Sequence, residues 1–317
     1  MIKIRFRNFP GDKSYGHFAE LVELATGEKT KIISDSKVSV DLEITGPYNG
    51  LSDNFQTPFS IRLKRFGYVV FTNGKHLARR DLAAGIRPLK SAKKNILYTG
   101  ENERPPQGDW DGYLTFDTNL PKDRSVYFPL WFLTSTDLFK STNKSYWGGV
   151  VPTINELLEG RKYKPEKKKF AASFIGKNYS MRLHAIEALS QISSVDVFGE
   201  SVRNQIKIPA KVAKKYKFIM CFENDIYPGY VTEKPIEAYL GNAIPLYYGF
   251  DVANYLNSKA IINLINYSTL LEWKKYISEV AKSASLYRKV YEEPILSKKP
   301  SLAPALKLIR KVLDVKT

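Results

Sequence analysis

A single cysteine, Cys221, in 317 residues excludes an intramolecular disulfide framework, and three scattered histidines with no Cys/His cluster leave no zinc-type site. No apolar run approaches the roughly 18 residues of a membrane span. The amino terminus, MIKIRFRNFPGD, alternates charge and hydrophobe like a strand and lacks the apolar region of a signal peptide. The P-loop G-x-x-x-x-G-K-[ST], the dinucleotide G-x-G-x-x-G, the hydrolase elbow G-x-S-x-G and the zincin H-E-x-x-H are all missing. Neither internal repeats nor low-complexity tracts occur. These absences predict a metal-poor intracellular protein.

What is present is ordinary globular composition, 43% hydrophobic and 26% charged, long enough for two domains of roughly 150 residues. The net charge of +17 is unevenly spread: residues 1–160 hold 22 Lys and Arg against 18 Asp and Glu, residues 161–317 hold 27 against 14. A basic second half suits nucleic acid, an anionic membrane surface or a phosphorylated small molecule equally, and also a merely solvated surface.

In the first half, β-rich runs recur between turn signals at Ile2–Phe6, Val38–Ile44, Tyr68–Phe71, Asn95–Thr99, Gly112–Phe116 and Ser125–Phe128. Several are continuously apolar, which predicts strands covered on both faces. Tyr15–Leu24 and Phe59–Phe66 suit helices between them, giving an α/β layer fold. A short helix is expected at Thr153–Leu158, and the charged GRKYKPEKKK after it reads as a solvated linker with a domain boundary near residue 165. Residues 1–165 and 166–317 are the expected domains. The second half alternates strand and helix: Phe170–Ile175, helix Ser180–Ile192, Val195–Phe198, helix Pro209–Lys217, Phe218–Phe222, helix Thr232–Leu240, Ala243–Tyr248. That spacing predicts a parallel, doubly wound sheet. A long amphipathic helix is expected over Leu270–Tyr291, and a terminal one over Ala305–Val315 that could pack back on the first domain.

Ligands of such sheets sit outside the carboxyl ends of strands. In CFENDIYPGYVTEKPIEAYLGNAIPLYYG, residues 221–249, an apolar strand runs out at Glu223-Asn224, a Gly/Pro loop follows, and Thr232-Glu233-Lys234-Pro235 opens a helix. Thr232 as cap, free N–H groups and the Lys234 charge would favour a diphosphate. Glu233 would suit a ribose diol, and Tyr230 could stack on or hydrogen-bond a nucleotide. The same residues would also serve as nothing more than a capped helix start. In SFIGKNYSMRLHAIEALS, Arg182 falls in the first turn of a helix, where its fork matches phosphate oxygens or simply faces solvent. NILYTGENERPP carries Glu101 at a strand end, a position for a general base or an ordinary acidic turn. Asp109-Trp110-Asp111 matches the Asp-x-Asp pattern of metal-dependent sugar transferases, a match that chance also supplies.

The segment FENDIYPGYVTEKPIEAYLGNAIPLYYG closely resembles the signature of glycosyltransferase family 10, the α-1,3/4-fucosyltransferases. NILYTGEN, FDTNLPKDRSVYFPLWF, SFIGKNYSMR and SVDVFGE extend the likeness over about residues 95–250. The resemblance implies a GT-B fold, two Rossmann-like doubly wound domains facing across a cleft, with GDP-fucose on the second domain and an oligosaccharide acceptor mainly on the first. It implies Glu101 as general base, Arg182 as phosphate ligand, and Asn224, Tyr230, Glu233 and Lys234 as the nucleotide-contacting cluster. Asp225 departs from the family's usual serine, Tyr227-Pro228-Gly229 is an unusual spacer, and Pro235 replaces an apolar residue.

Inverting fucosyl transfer, with N-acetylglucosamine as the default acceptor unit, follows from that likeness. No cofactor would be required, a divalent metal at most stimulating the reaction. A transferase using GDP-mannose or another GDP-sugar is the near alternative. A nucleic-acid or polyanion binder is the distant one, supported only by KVAKKYKF at residues 211–218, so no nucleic-acid partner is expected. A cytoplasmic protein of bacterial or viral origin, held peripherally at a membrane by its basic face, completes the expectation.

Overall fold

The computed structural model describes residues 1–9, 15–46, 86–100, 104–105, 108–134, 136–141, 151–163, 169–175, 180–199 and 210–315. The expected strand at Tyr68–Phe71, the expected helix at Phe59–Phe66 and the candidate base Glu101 lie outside these residues.

Six strands of the first half, β1 (Ile2–Arg7), β2 (Thr30–Ile32), β3 (Val40–Thr45), β4 (Ala92–Thr99), β5 (Gly112–Thr115) and β6 (Ser125–Tyr127), pair in parallel in the order β2-β1-β3-β4-β5-β6. A parallel sheet needs cover on both faces. Helix α1 (Tyr15–Thr26) supplies part of it through Phe18, Leu21, Val22 and Ala25, which recur at helical spacing and are all buried. After β6 come a short buried turn of helix, α2 (Trp131–Thr134), and α3 (Ile154–Leu158), opened by a capping box between Thr153 and Glu156.

In the second half, β7 (Lys169–Phe174), β8 (Val195–Phe198), β9 (Tyr216–Phe222), β10 (Ile244–Tyr248) and β11 (Ile262–Asn263) form a second parallel sheet in the order β8-β7-β9-β10-β11. Helices α4 (Ser180–Ser190), α5 (Ala210–Ala213) and α6 (Lys234–Leu240) provide the connections. The strand order reverses between β7 and β9, so the crevice outside their carboxyl ends is where this topology leaves room for a ligand. Asn242, at φ 55°, ends α6 in a left-handed turn and delivers the chain into β10.

Three expectations need correction. The long helix over Leu270–Tyr291 is two helices, α7 (Leu270–Lys282) and α8 (Ala284–Tyr291). Ser283 adopts an extended conformation between them, closes α7 with its N–H and accepts from Leu286 N–H to cap α8. The helix expected over Pro209–Lys217 ends at Ala213, its described part being Ala210–Ala213, because Tyr216 already pairs with Lys169 in the sheet. The charged stretch before residue 165 is not wholly solvated. Arg161 lies between the rings of Tyr239 and Tyr291, 3.8 and 4.0 Å from their centroids, and donates to the carbonyls of Tyr239, Ala243 and Tyr291. Its burial draws the guanidinium pKa below the ordinary value.

The terminal helix α9 (Ala303–Val312) buries Ala305, Leu308, Ile309 and Val312 and lies against α1, β5 and β6, with Arg310 bonded to the Ala25 carbonyl at 2.6 Å. The KVAKKYKF segment offers no interleaved basic and aromatic surface: Tyr216 and Phe218 are buried, and the Lys217 ammonium is tied to the Ala281 carbonyl. Among the described residues no helix is long and apolar enough to cross a membrane.

Candidate active site

Strand β9 is apolar from Phe218 to Phe222, and the chain then presents a carboxylate, Glu223, whose N–H continues the pairing to the Tyr248 carbonyl. The Glu223 side chain is fully buried. Burying a carboxylate is costly unless its oxygens are satisfied, and here they gather the far end of the following loop. Thr232 donates its N–H at 2.8 Å and its hydroxyl at 2.8 and 3.0 Å, Lys234 Nζ donates at 2.8 Å, and the Tyr247 hydroxyl approaches at 3.4 Å. Glu223 therefore closes the loop 224–231 and fixes the lysine.

Burial alone would lower the Lys234 pKa, but Glu223 and Glu233 together outweigh it, so the ammonium is held above its ordinary value and is charged at neutral pH. The same surroundings, burial first and Glu223 next, push the Cys221 thiol up and leave it inert packing.

Arg182, in the first turn of α4 after β7, is buried rather than solvated. Its Nη2 donates to the Phe222 carbonyl at 2.7 Å and to Asn224 Oδ1 at 2.8 Å, so the guanidinium spans the β7–β9 crevice. It is close enough to Lys234 to oppose that charge. Arg182, Asn224, Glu233 and Lys234 are thus brought to one place from two segments some fifty residues apart, with two fixed cations among them. Such a place suits an anion with two or more charged oxygens.

Two details differ from expectation. Thr232 does not cap α6; Glu233 occupies the cap position without a side-chain cap bond, while the Thr232 hydroxyl is committed to Glu223. With only seven residues in α6, the positive charge comes mainly from the two side chains. Tyr230 offers no open ring face: it is fully buried, edge-on to Phe116 with centroids 5.0 Å apart.

The Asp-x-Asp match has a structural use. Trp110 is buried with Ile86, Leu97 and Tyr113, and Asp111 Oδ2 accepts from Asn95 N–H at 2.7 Å. Among the described residues no group of three or more His, Cys, Asp or Glu is placed to hold a metal ion.

Residues that reading the sequence missed are Glu223 and, on the first half, those that meet the loop 224–231. Tyr227 donates to Asp117 Oδ1 at 2.9 Å, Tyr127 donates to the Gly229 carbonyl at 3.0 Å, and Arg104 pairs with Asp225 at 3.1 Å. Each first-half partner follows or ends β4, β5 or β6, so the carboxyl ends of these strands approach the loop that leaves β9. A charge directly after an apolar strand was the available signal for Glu223. The cross-half partners had none.

A family model described as "Glycosyltransferase family 10 (fucosyltransferase) C-term" matches residues 164–293. The chain is 29% identical over 276 residues to an alpha-(1,3)-fucosyltransferase of Helicobacter pylori, covering 77% of this chain and 55% of the relative. It is 29% identical over 198 residues to the human 4-galactosyl-N-acetylglucosaminide 3-alpha-L-fucosyltransferase 9, covering 59% and 53%. The chain thus spans about half the length of these curated relatives. A crystal structure of an alpha1,3-fucosyltransferase superimposes with a TM-score of 0.66 at 22% identity over 100% of this chain and 91% of that one. The same enzyme class with GDP-fucose gives 0.65. These superpositions establish a shared α/β fold.

Proposed function

We propose that this chain, whose residues 164–293 match the glycosyltransferase family 10 model, belongs to that family and transfers L-fucose with inversion from GDP-β-L-fucose to a glycan hydroxyl, O3 or O4 of an N-acetylglucosamine unit. The observation that carries the proposal is the convergence of Arg182, Asn224, Glu233 and Lys234 outside the carboxyl ends of β7 and β9. In this reading residues 166–317 bind the donor and residues 1–165 face them across a cleft and bind the acceptor, in the GT-B manner. The approach of the β4–β6 carboxyl ends to the 225–230 loop supports that arrangement.

The chemistry then has three parts. The anomeric carbon passes through an oxocarbenium-like state as the C–O bond to the diphosphate breaks and the acceptor oxygen approaches from the opposite face. Charge growing on the departing GDP is stabilised by Arg182 and Lys234, both already charged and fixed, so little reorganisation is needed when the bond breaks. Glu101 takes the proton of the attacking hydroxyl. Glu233 accepts from the ribose hydroxyls and Asn224, steered by Arg182, fixes the nucleotide. Tyr230, buried against Phe116, serves by shaping the loop.

The test is thermal stabilisation by GDP, GDP-fucose, GDP-mannose, UDP-glucose and a DNA duplex, with and without Mn²⁺, followed by transfer to N-acetyllactosamine. Stabilisation of ~2.7 kcal/mol at a hundredfold excess over Kd is expected with GDP and GDP-fucose and is independent of metal. A response confined to UDP-glucose or to DNA would refute the donor assignment, and transfer from GDP-mannose instead of GDP-fucose would correct the sugar.

A further inference from the structure

Asp225 and Tyr227 are two polar side chains of the donor-side loop for which donor recognition supplies no role, and both reach into the first half. Asp225 Oδ2 lies 3.1 Å from Arg104 Nη2, with side chains only 8% and 11% exposed. The Arg104 guanidinium sits over the Tyr227 ring at 3.2 Å and beside Phe116 at 5.4 Å. The Tyr227 hydroxyl donates to Asp117 Oδ1 at 2.9 Å and accepts from Asn119 Nδ2 at 2.7 Å. Gly229 completes the junction: its φ is +90°, a Cβ there would stand 2.3 Å from the Phe116 carbonyl oxygen, and its own carbonyl accepts from Tyr127.

A buried ion pair adds little net stability, because desolvation consumes most of its Coulomb energy, but its directional bonds hold a geometry. The geometry held here is the position of residues 225–230 against the carboxyl ends of the first sheet. Asn224, the neighbour of Asp225, is one of the two groups that Arg182 grips. A shift of the first half against this loop would therefore be a shift against the donor site.

We propose that Arg104, Asp225 and Tyr227 form a clamp between the halves that positions the donor-side loop for transfer. They are positioning residues and touch no reacting atom. The inference rests on the donor reading of Arg182, Asn224 and Lys234. Misplacement by about 1 Å costs up to ~10²-fold in rate, whereas GDP affinity, supplied by the second half alone, should barely change.

The experiment measures kcat and KM for GDP-fucose with N-acetyllactosamine, and the GDP Kd by calorimetry, for Arg104→Ala, Asp225→Ala, the double variant, Arg104→Lys and Tyr227→Phe. Each alanine variant should lose about tenfold or more in kcat with the GDP Kd within about twofold of wild type. The double variant should be no slower than the slower single one, because the pair acts as a unit. Arg104→Lys should recover part of the rate, and Tyr227→Phe, which keeps the ring, should lose about threefold. Should a single variant leave a buried charge unpaired and fail to fold, the double variant and Tyr227→Phe still decide the matter. Multiplicative losses in the double variant, a double variant at wild-type rate, or losses in GDP Kd without kcat would overturn the clamp. Failure of the wild-type protein to bind GDP would instead overturn the donor reading, and the clamp with it.

Discussion

Replacing Glu223 by Gln removes one charge and almost no volume from the centre of the candidate site. The amide can still accept from Thr232, but its NH₂ now faces the Lys234 ammonium that the carboxylate held at 2.8 Å. Breaking a buried ion pair by removing one partner costs about 3–5 kcal/mol. The Lys234 side chain keeps 23% of its exposure, so water offsets part of the loss and the lower end, about 3 kcal/mol, applies. At about 1.5 °C per kcal/mol for a chain of 317 residues, the Tm should fall by about 4–5 °C. The variant should also titrate differently. Wild-type Lys234 has its pKa raised above the ordinary 10.5, so its charge contributes fully at neutral pH and is lost only as pH climbs past that value. Without Glu223 the burial that opposes the charge is less well balanced, and Lys234 deprotonates at lower pH. GDP affinity of Glu223→Gln, measured by calorimetry from neutral to mildly alkaline pH, should therefore decline more steeply with rising pH than that of the wild type. A Tm within about 1 °C of wild type, together with a pH profile parallel to the wild type's, would refute the view that Glu223 holds this lysine.

Three further outcomes follow from other groups. Arg182→Ala loses the bonds to the Phe222 carbonyl and Asn224 and the charge proposed to meet the diphosphate, so GDP should bind about 10- to 100-fold more weakly by calorimetry, at 1.5–3 kcal/mol for a charged hydrogen bond. Unchanged affinity would remove Arg182 from the donor site. Glu101→Gln should slow transfer by ~10²-fold or more with the KM for GDP-fucose nearly unchanged, and near wild-type turnover in a coupled GDP-release assay would show that another group is the base. In the first sheet, the fully buried Glu43 carboxylate faces Arg5 at 3.3 Å and Arg7 at 2.9 Å. Glu43→Gln should lower stability to urea by about 3 kcal/mol or more without altering GDP affinity. A loss under about 1 kcal/mol would mean that Ser91, Thr45 and the Asp35 and Val38 carbonyls satisfy the two arginines unaided.

Much of this protein is set by near neighbours in the chain. Apolar runs such as Phe218–Phe222 and Ile244–Tyr248, helical spacing at Phe18, Leu21, Val22 and Ala25, and turn chemistry at Gly241-Asn242 are local signals, and each produced the element it indicates because backbone preference and side-chain period act over a few residues. The strand–loop–helix carrying Asn224, Glu233 and Lys234 was legible for the same reason. Tertiary structure decided the partners. Period shows which face of a strand is buried but not what covers it, so Arg182 on its own segment read first as a solvated arginine; the adjacency of β7 and β9 buries it. Tyr230 read as stacking on or hydrogen-bonding a nucleotide, and Phe116, from the other half, lies against the ring that would have stacked. Thr232 read as a cap, but a buried carboxylate nine residues earlier competes for its hydroxyl and prevails because an unsatisfied buried charge costs more than an uncapped helix end. The pairing of Arg104 with Asp225 joins residues 121 positions apart; no local pattern encodes such a contact, and it exists only once both sheets have folded and their carboxyl ends meet.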